Sequence, residues 1–243
     1  MKIFALVLFL TFELLASRVD IFVASSAKDA MSEVTSEFKK LHPQSDVRLN
    51  FGASGKAYAQ FSNGFVYDLF FSADNTYTAK IVSDGGAISE PKVYAKGVIA
   101  LLVNDKKYLK DKVEALKDST IKHISIANPK VAPYGAAAIQ ILKSYGIYDE
   151  VREKLVLGEN IGQSVQFVDS GAAEAGLVAL SLIKNKKPKD SYMVIDGSKF
   201  SPLDQSFVIT KYAKDKPLAK EFGDFVVSDK AKEIFKKYGF GVE

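Results

Sequence analysis

Serines and glycines set directly before helical patterns are the residues best equipped for chemistry in this sequence, and the chemistry they offer is the holding of an anion. In A-S-S-A-K-D-A-M, residues 24–31, Ser25 and Ser26 follow an apolar run and open a helix. In F-G-A-S-G-K-A-Y, residues 51–58, Ser54 stands between Gly52 and Gly55. N-P-K-V-A-P-Y-G-A-A-A, residues 128–138, places Pro133 where a first helical turn tolerates it, with Gly135 just after. E-N-I-G-Q-S-V, residues 159–165, offers Asn160 as an N-cap and Gly162 as open backbone. Each would aim backbone N–H groups and the positive end of a helix dipole at one point. Taken singly, each is also ordinary capping; Ser26 with Asp29 fits a capping box.

Catalysis finds less support. G-A-S-G-K resembles a nucleotide phosphate loop only superficially, because two residues rather than four separate its glycines and Ala57 follows Lys56. A serine triad would need His42 or His123, the only histidines, and neither sits in a catalytic motif. Metal ligation has no histidine pair at ligand spacing. Asp68 and Asp74 bracket a strand-like run, where structural hydrogen bonding is the expected role.

The elements that must position these loops alternate. Apolar, β-branched runs at residues 19–24, 47–51, 68–72, 98–103, 124–127, 176–179, 192–195 and 207–210 are separated by helical patterns, which predicts α/β architecture with largely parallel sheets. Eight strands can form one sheet or two, and periodicity does not choose. Ala27, Ala30, Met31, Val34 and Phe38 share one helical face, as do Leu218, Phe222, Phe225 and Val226. A last helix over residues 229–238 should stop at Gly239.

With 243 residues, 47% hydrophobic and 26% charged, the chain has the composition of a globular protein. Its net charge of +4 is spread without a basic stripe, which argues against nucleic acid; the lysine-rich stretches 184–189 and 230–237 read as solvated faces. Residues 1–17 combine Lys2, an apolar run and small residues at Ala16 and Ser17, the pattern of a secretory signal cleaved near Ser17, although Glu13 is atypical and a buried N-terminal element is the rival. The sequence has no cysteine, so neither a disulfide nor a cysteine-linked lipid is expected, and the mature chain should be free in the periplasm.

Three segments carry a family likeness. D-L-F-F-S-A-D at residues 68–74, V-A-S-S-A-K-D-A-M at 23–31 and K-E-I-F-K-K-Y-G-F at 232–240 resemble the periplasmic molybdate-binding proteins of ABC transporters, and the similarity spans residues 19–240. The resemblance implies a type II periplasmic binding protein fold. It has two lobes, each a mostly parallel sheet flanked by helices, hinged by two crossover strands near residues 91–97 and 200–205. Residues 18–95 and 201–243 would form lobe one and residues 96–200 lobe two. It further implies a monomer that is not an enzyme, has no cofactor, binds no nucleic acid, and passes its anion to a membrane permease.

The family's ligand set falls on Ser26 and Ser54, each giving hydroxyl and backbone N–H, and on the backbone N–H groups of Tyr134 and Ile161. Molybdenum or tungsten would be held as an oxyanion, not as a free metal cation. The family's tyrosine falls on Ala179, which has no side-chain donor; water, the Ser181 hydroxyl, or one fewer bond takes its place. Fully ionised molybdate, tungstate and sulfate only accept hydrogen bonds, whereas phosphate keeps a proton near neutral pH and calls for an acceptor. Sulfate, phosphate or an organic anion is the alternative ligand. A different class is an exported hydrolase using Ser26 or Ser54, for which no general base is visible. A signalling receptor domain is a third class that the sequence leaves open.

Overall fold

The computed structural model describes residues 18–242, and the expected signal segment, residues 1–17, lies outside them. Along the chain run β1 (Arg18–Ala24), α1 (Lys28–Leu41), β2 (Asp46–Gly52), α2 (Ser54–Ser62), β3 (Leu69–Ser72), α3 (Thr76–Ser83), β4 (Lys92–Lys96) and β5 (Ile99–Val103). Then follow β6 (Ile124–Ala127), α4 (Pro133–Ser144), α5 (Tyr148–Val151), β7 (Leu155–Gly158), α6 (Ile161–Asp169), β8 (Ala175–Ala179) and α7 (Leu180–Ile183). The last elements are β9 (Tyr192–Val194), β10 (Asp204–Ile209), α8 (Pro217–Val226) and α9 (Asp229–Tyr238).

These strands make two five-stranded sheets, ordered β2-β1-β3-β10-β4 and β7-β6-β8-β5-β9. In the first, β1 pairs parallel with β2 and β3, while β10 runs antiparallel to β3 and β4, so a single strand is reversed. The second repeats the plan with β5 reversed between β8 and β9. Central strands covered on both faces read as unbroken apolar runs. Val19, Ile21 and Val23 enter a core with residues of α1, α8 and α9, whereas Phe22 joins Phe70, Phe61 and Ile81 on the side of α2 and α3. In the second sheet β5 is buried throughout.

β7 escapes sequence reading, and β4 has no apolar run of its own and entered only as the crossing near residues 91–97. Both are edge strands with one partner, and Val93 and Leu157 on them are about half exposed, so their short apolar pattern is diluted. The chain leaves the first sheet after Lys96, enters the second at Ile99, and returns between Val194 and Asp204. At this neck the Gly97 N–H donates to the Leu203 carbonyl at 2.8 Å, joining the two crossings. Helix α9 ends on Gly239 at φ 94°, in the left-handed region that favours glycine.

The lysine stretch at residues 184–187 does more than face water. Lys184 Nζ donates to the Lys236 carbonyl at 3.2 Å, Lys186 pairs with Asp29, and Lys187 pairs with Asp169 at 2.7 Å. Two of these contacts tie the end of α7 to α1 and α9 beside the neck. Asp68, fully buried, accepts from the Asp20 N–H and from Lys216 Nζ, both at 2.8 Å. His42 stacks on Phe38 with its Nδ1 3.4 Å from Glu221, and His123 is exposed. Among the described residues no helix is long and apolar enough to cross a membrane.

Candidate functional site

Five parallel strands bring their carboxyl ends to the seam between the sheets, the place where open α/β sheets take ligands. The segments that follow β1, β2, β3, β6 and β7 line one small, tight cavity, walled by Ala24, Ser25, Ser26, Ser54, Tyr134 and Ile161 among others. Four of the residues singled out from the sequence, Ser26, Ser54, Tyr134 and Ile161, therefore meet there although they come from both sheets. Ala179 does not. It is fully buried at the end of β8, paired with Ile99, and is absent from the cavity wall.

Each helix that starts at this cavity turns a first-turn N–H toward it. In α2 the Gly55 N–H is committed to the Val131 carbonyl at 2.8 Å, and the Ser54 N–H has no acceptor within its own helix. Ser54 Oγ accepts from the Ala73 N–H at 3.0 Å, which leaves its own proton to donate. In α4, Pro133 has no N–H, and the N–H groups of Gly135 and Ala136 go to the Ala132 carbonyl, so Tyr134 supplies the remaining one. Gly135 is required by close approach: a Cβ there would run into the Ala127 carbonyl. In α6 the Asn160 side chain caps Gly162 and Gln163 at 2.9 and 3.2 Å, leaving the Ile161 N–H of that turn. The N-cap role of Asn160 and the first-turn place of Pro133 match the sequence reading.

The capping box expected at Ser26 does not form. Residues Ser25–Ala27 make a 3-10 turn, Ala27 rather than Ser26 precedes α1, and the Asp29 carboxylate is taken by Lys186. Ser26 Oγ instead donates to Gln205 Oε1 at 3.2 Å, and its carbonyl accepts from Ser181 Oγ at 2.6 Å. The Ser181 proton is thus given to a backbone oxygen rather than offered to the cavity. Ser25 Oγ donates to the Gly52 carbonyl at 3.2 Å.

No carboxylate, lysine, arginine or histidine lines the cavity. Lys56 and Glu159 face each other at 3.6 Å in the adjoining groove, which shares Gly52 and Ala53 with the cavity, and both are largely exposed, so their pairing contributes little. Burial pushes the phenol of Tyr134 far up, opposed by hydrogen bonds with Ser26 and Gln205, and burial likewise raises Tyr94, so both stay neutral. Among the described residues no three His, Asp or Glu side chains gather as a cation site would need. Hydroxyl and amide donors with no opposing acceptor side chain suit an anion that carries no proton.

Sequence reasoning did not single out Tyr94 as a site residue and read Gln205 only as part of a crossing. Tyr94 donates to Gln205 Oε1 at 2.9 Å, and Gln205 Nε2 donates to the Tyr134 phenol at 3.0 Å, all within the buried interior. Gln205 sits between Asp204 and Ser206 in the sequence, so nothing local marks it as buried, and without the fold it names no partner.

Comparison with known proteins agrees with this architecture. Residues 19–241 match the family described as bacterial extracellular solute-binding protein. The molybdate-binding protein ModA of Azotobacter vinelandii is 37% identical over 231 residues, covering 94% of this chain and 91% of that protein. ModA of Rhodobacter capsulatus is 34% identical, covering 98% and 94%. The solved structure of the Azotobacter vinelandii periplasmic molybdate-binding protein superposes with a TM-score of 0.87 at 30% identity, covering 93% of this chain and 99% of that one.

Proposed function

The chain belongs to the bacterial extracellular solute-binding proteins, and on that footing we propose that it captures molybdate or tungstate outside the cytoplasm and delivers it to the membrane permease of an ABC transporter. It acts as a monomer, performs no chemistry on its ligand, and takes no cofactor. Its first lobe comprises residues 18–95 with the segment from 201 onward, and its second lobe residues 96–200. The relatives named as molybdate-binding support the choice of anion.

The observation that carries the reading is a cavity at strand carboxyl ends whose side chains donate and carry no charge. Ser26 and Ser54 give hydroxyl and backbone N–H, and Tyr134 and Ile161 give backbone N–H. Ala179 adds nothing, so the set is one side-chain donor shorter than the family pattern implies. A dianion is held here by oriented dipoles, which become strong once closure excludes water. Hydrogen phosphate would bring a proton with no carboxylate to receive it. Sulfate meets the same donors, and size alone separates it from molybdate.

Because nothing lining the cavity titrates near neutrality, molybdate affinity should change by less than about threefold between about pH 6 and pH 9. Calorimetric titration across that range checks it. A decade of affinity lost per pH unit would mean that an ionising group holds the anion, contrary to the proposal.

A further inference from the structure

Gln205 stands behind the cavity wall, bonded to two residues of it, Ser26 and Tyr134. It lies in β10, fully buried, and its amide bonds three other segments at once. Oε1 accepts from the Tyr94 phenol of β4 at 2.9 Å and from the Ser26 hydroxyl at 3.2 Å. Nε2 donates to the Tyr134 phenol, on the second-lobe helix α4, at 3.0 Å. Gly97 leaves the space for this cluster: a Cβ there would stand 2.9 Å from Leu203 Cβ and press on the Tyr134 phenol. Both Oε1 lone pairs are occupied, so the polarity of the cluster is fixed from its centre.

Ser26 has one proton, and it cannot be given to Gln205 and to an anion together. When the proton turns to the anion, Ser26 Oγ needs a donor of its own. The Tyr134 phenol, already accepting from Nε2, has a proton that needs an acceptor, and it and the Ser26 hydroxyl bond the two ends of the same Gln205 amide, which sets them side by side. The chain then reads Gln205 N–H to Tyr134 O–H to Ser26 O–H to anion, each bond polarising the next. Tyr134 is carried by the second lobe and Ser26 by the first, so the chain exists only when the lobes are together.

We propose that Gln205 is the positioning residue that couples anion capture to lobe closure, holding the Tyr134 phenol against the Ser26 hydroxyl so that Ser26 gives its proton to the anion in the closed arrangement. The inference rests on the anion-binding function proposed above. Gln205 itself does not touch the ligand.

A double-mutant cycle on the full chain tests it, with molybdate as the probe: Ser26→Ala, Gln205→Leu and the pair, each titrated calorimetrically and each melted without ligand. Loss of one charge-assisted hydrogen bond should weaken binding about tenfold in each single variant, and the pair should lose no more than Ser26→Ala alone. Losses that multiply to about a hundredfold, while wild type binds molybdate, would overturn the coupling and leave the proposed function standing. So would a Gln205→Leu variant that melts lower yet binds as wild type does, the mark of a purely structural role. Wild type that ignores molybdate would overturn the function itself, and the inference with it. Should Gln205→Leu fail to fold, Tyr134→Phe keeps the backbone donor and breaks the same chain; its loss must also vanish in the Ser26→Ala background, and a loss that persists there would overturn the inference.

Discussion

Gly55→Ala is expected to raise the Kd for molybdate by at least about a hundredfold while the ligand-free protein melts almost where wild type does. The added Cβ would stand 2.9 Å from the Val131 carbonyl, a backbone atom of the loop before α4, and would also press on the Tyr77 phenol. Tyr77 is half-buried and has a ring that can move; the Val131 carbonyl is held in the wall that carries Tyr134. The Gly55 N–H meets that carbonyl at 2.8 Å, so the start of α2 and the loop before α4 are in direct contact at this point. An open cleft loses the Tyr134 and Ile161 donors, and two hydrogen bonds to a charged ligand contribute about 1.5 kcal/mol each at the low end. The Tyr77 ring can turn aside, whereas the clash with Val131 is relieved only by parting α2 from the loop before α4, so heat stability without ligand should be largely spared. Unchanged affinity in calorimetry would show that the anion does not require this contact.

Ser54→Ala should weaken molybdate binding by about ten- to a hundredfold, whereas Lys56→Ala should cost less than about fivefold. The two residues are neighbours with opposite situations. Ser54 is buried at 1% exposure, and its oxygen accepts from the Ala73 N–H, an arrangement that aims its proton into the cavity. Alanine removes that donor and leaves the Ala73 N–H without its acceptor. Lys56 is 59% exposed and faces Glu159 in the adjoining groove, so its charge is screened and already balanced. Parallel titrations of the two variants decide the matter. A larger loss at Lys56 than at Ser54 would mean that net charge, not oriented dipoles, holds the anion.

Local signals in the sequence carried much of the architecture. The apolar runs of β1, β3 and β5 and the helical face of α1 are buried as their spacing requires, although part of what covers them, such as α8 and α9 over β1 and α1, comes from far along the chain. Gly239, Pro133 and Asn160 act at helix ends through contacts within three residues, which is the range that sequence patterns describe. Long-range geometry was hidden. Ser26 fits a capping box by local spacing, yet its hydroxyl goes to Gln205, 179 residues away, and its carbonyl to Ser181, 155 residues away. Tyr134 entered as a backbone donor, while its phenol, joined to Gln205 across 71 residues, carried no local mark. Edge strand β7 was missed and edge strand β4 entered only as a crossing, because exposed side chains such as Val93 and Leu157 break their apolar pattern. The position of Ala179 relative to the cavity depends on how β8 meets β5, a register that no motif records.

The central claim, a donor-only cage for a fully ionised tetrahedral dianion, is tested most directly by the melting temperature of the full chain with molybdate, tungstate, sulfate and phosphate added separately at neutral pH. Molybdate and tungstate at about a hundred times their Kd should each stabilise the folded state by about 2.7 kcal/mol, and phosphate should leave the melting temperature where it was. A rise with phosphate and none with molybdate or tungstate would contradict the account.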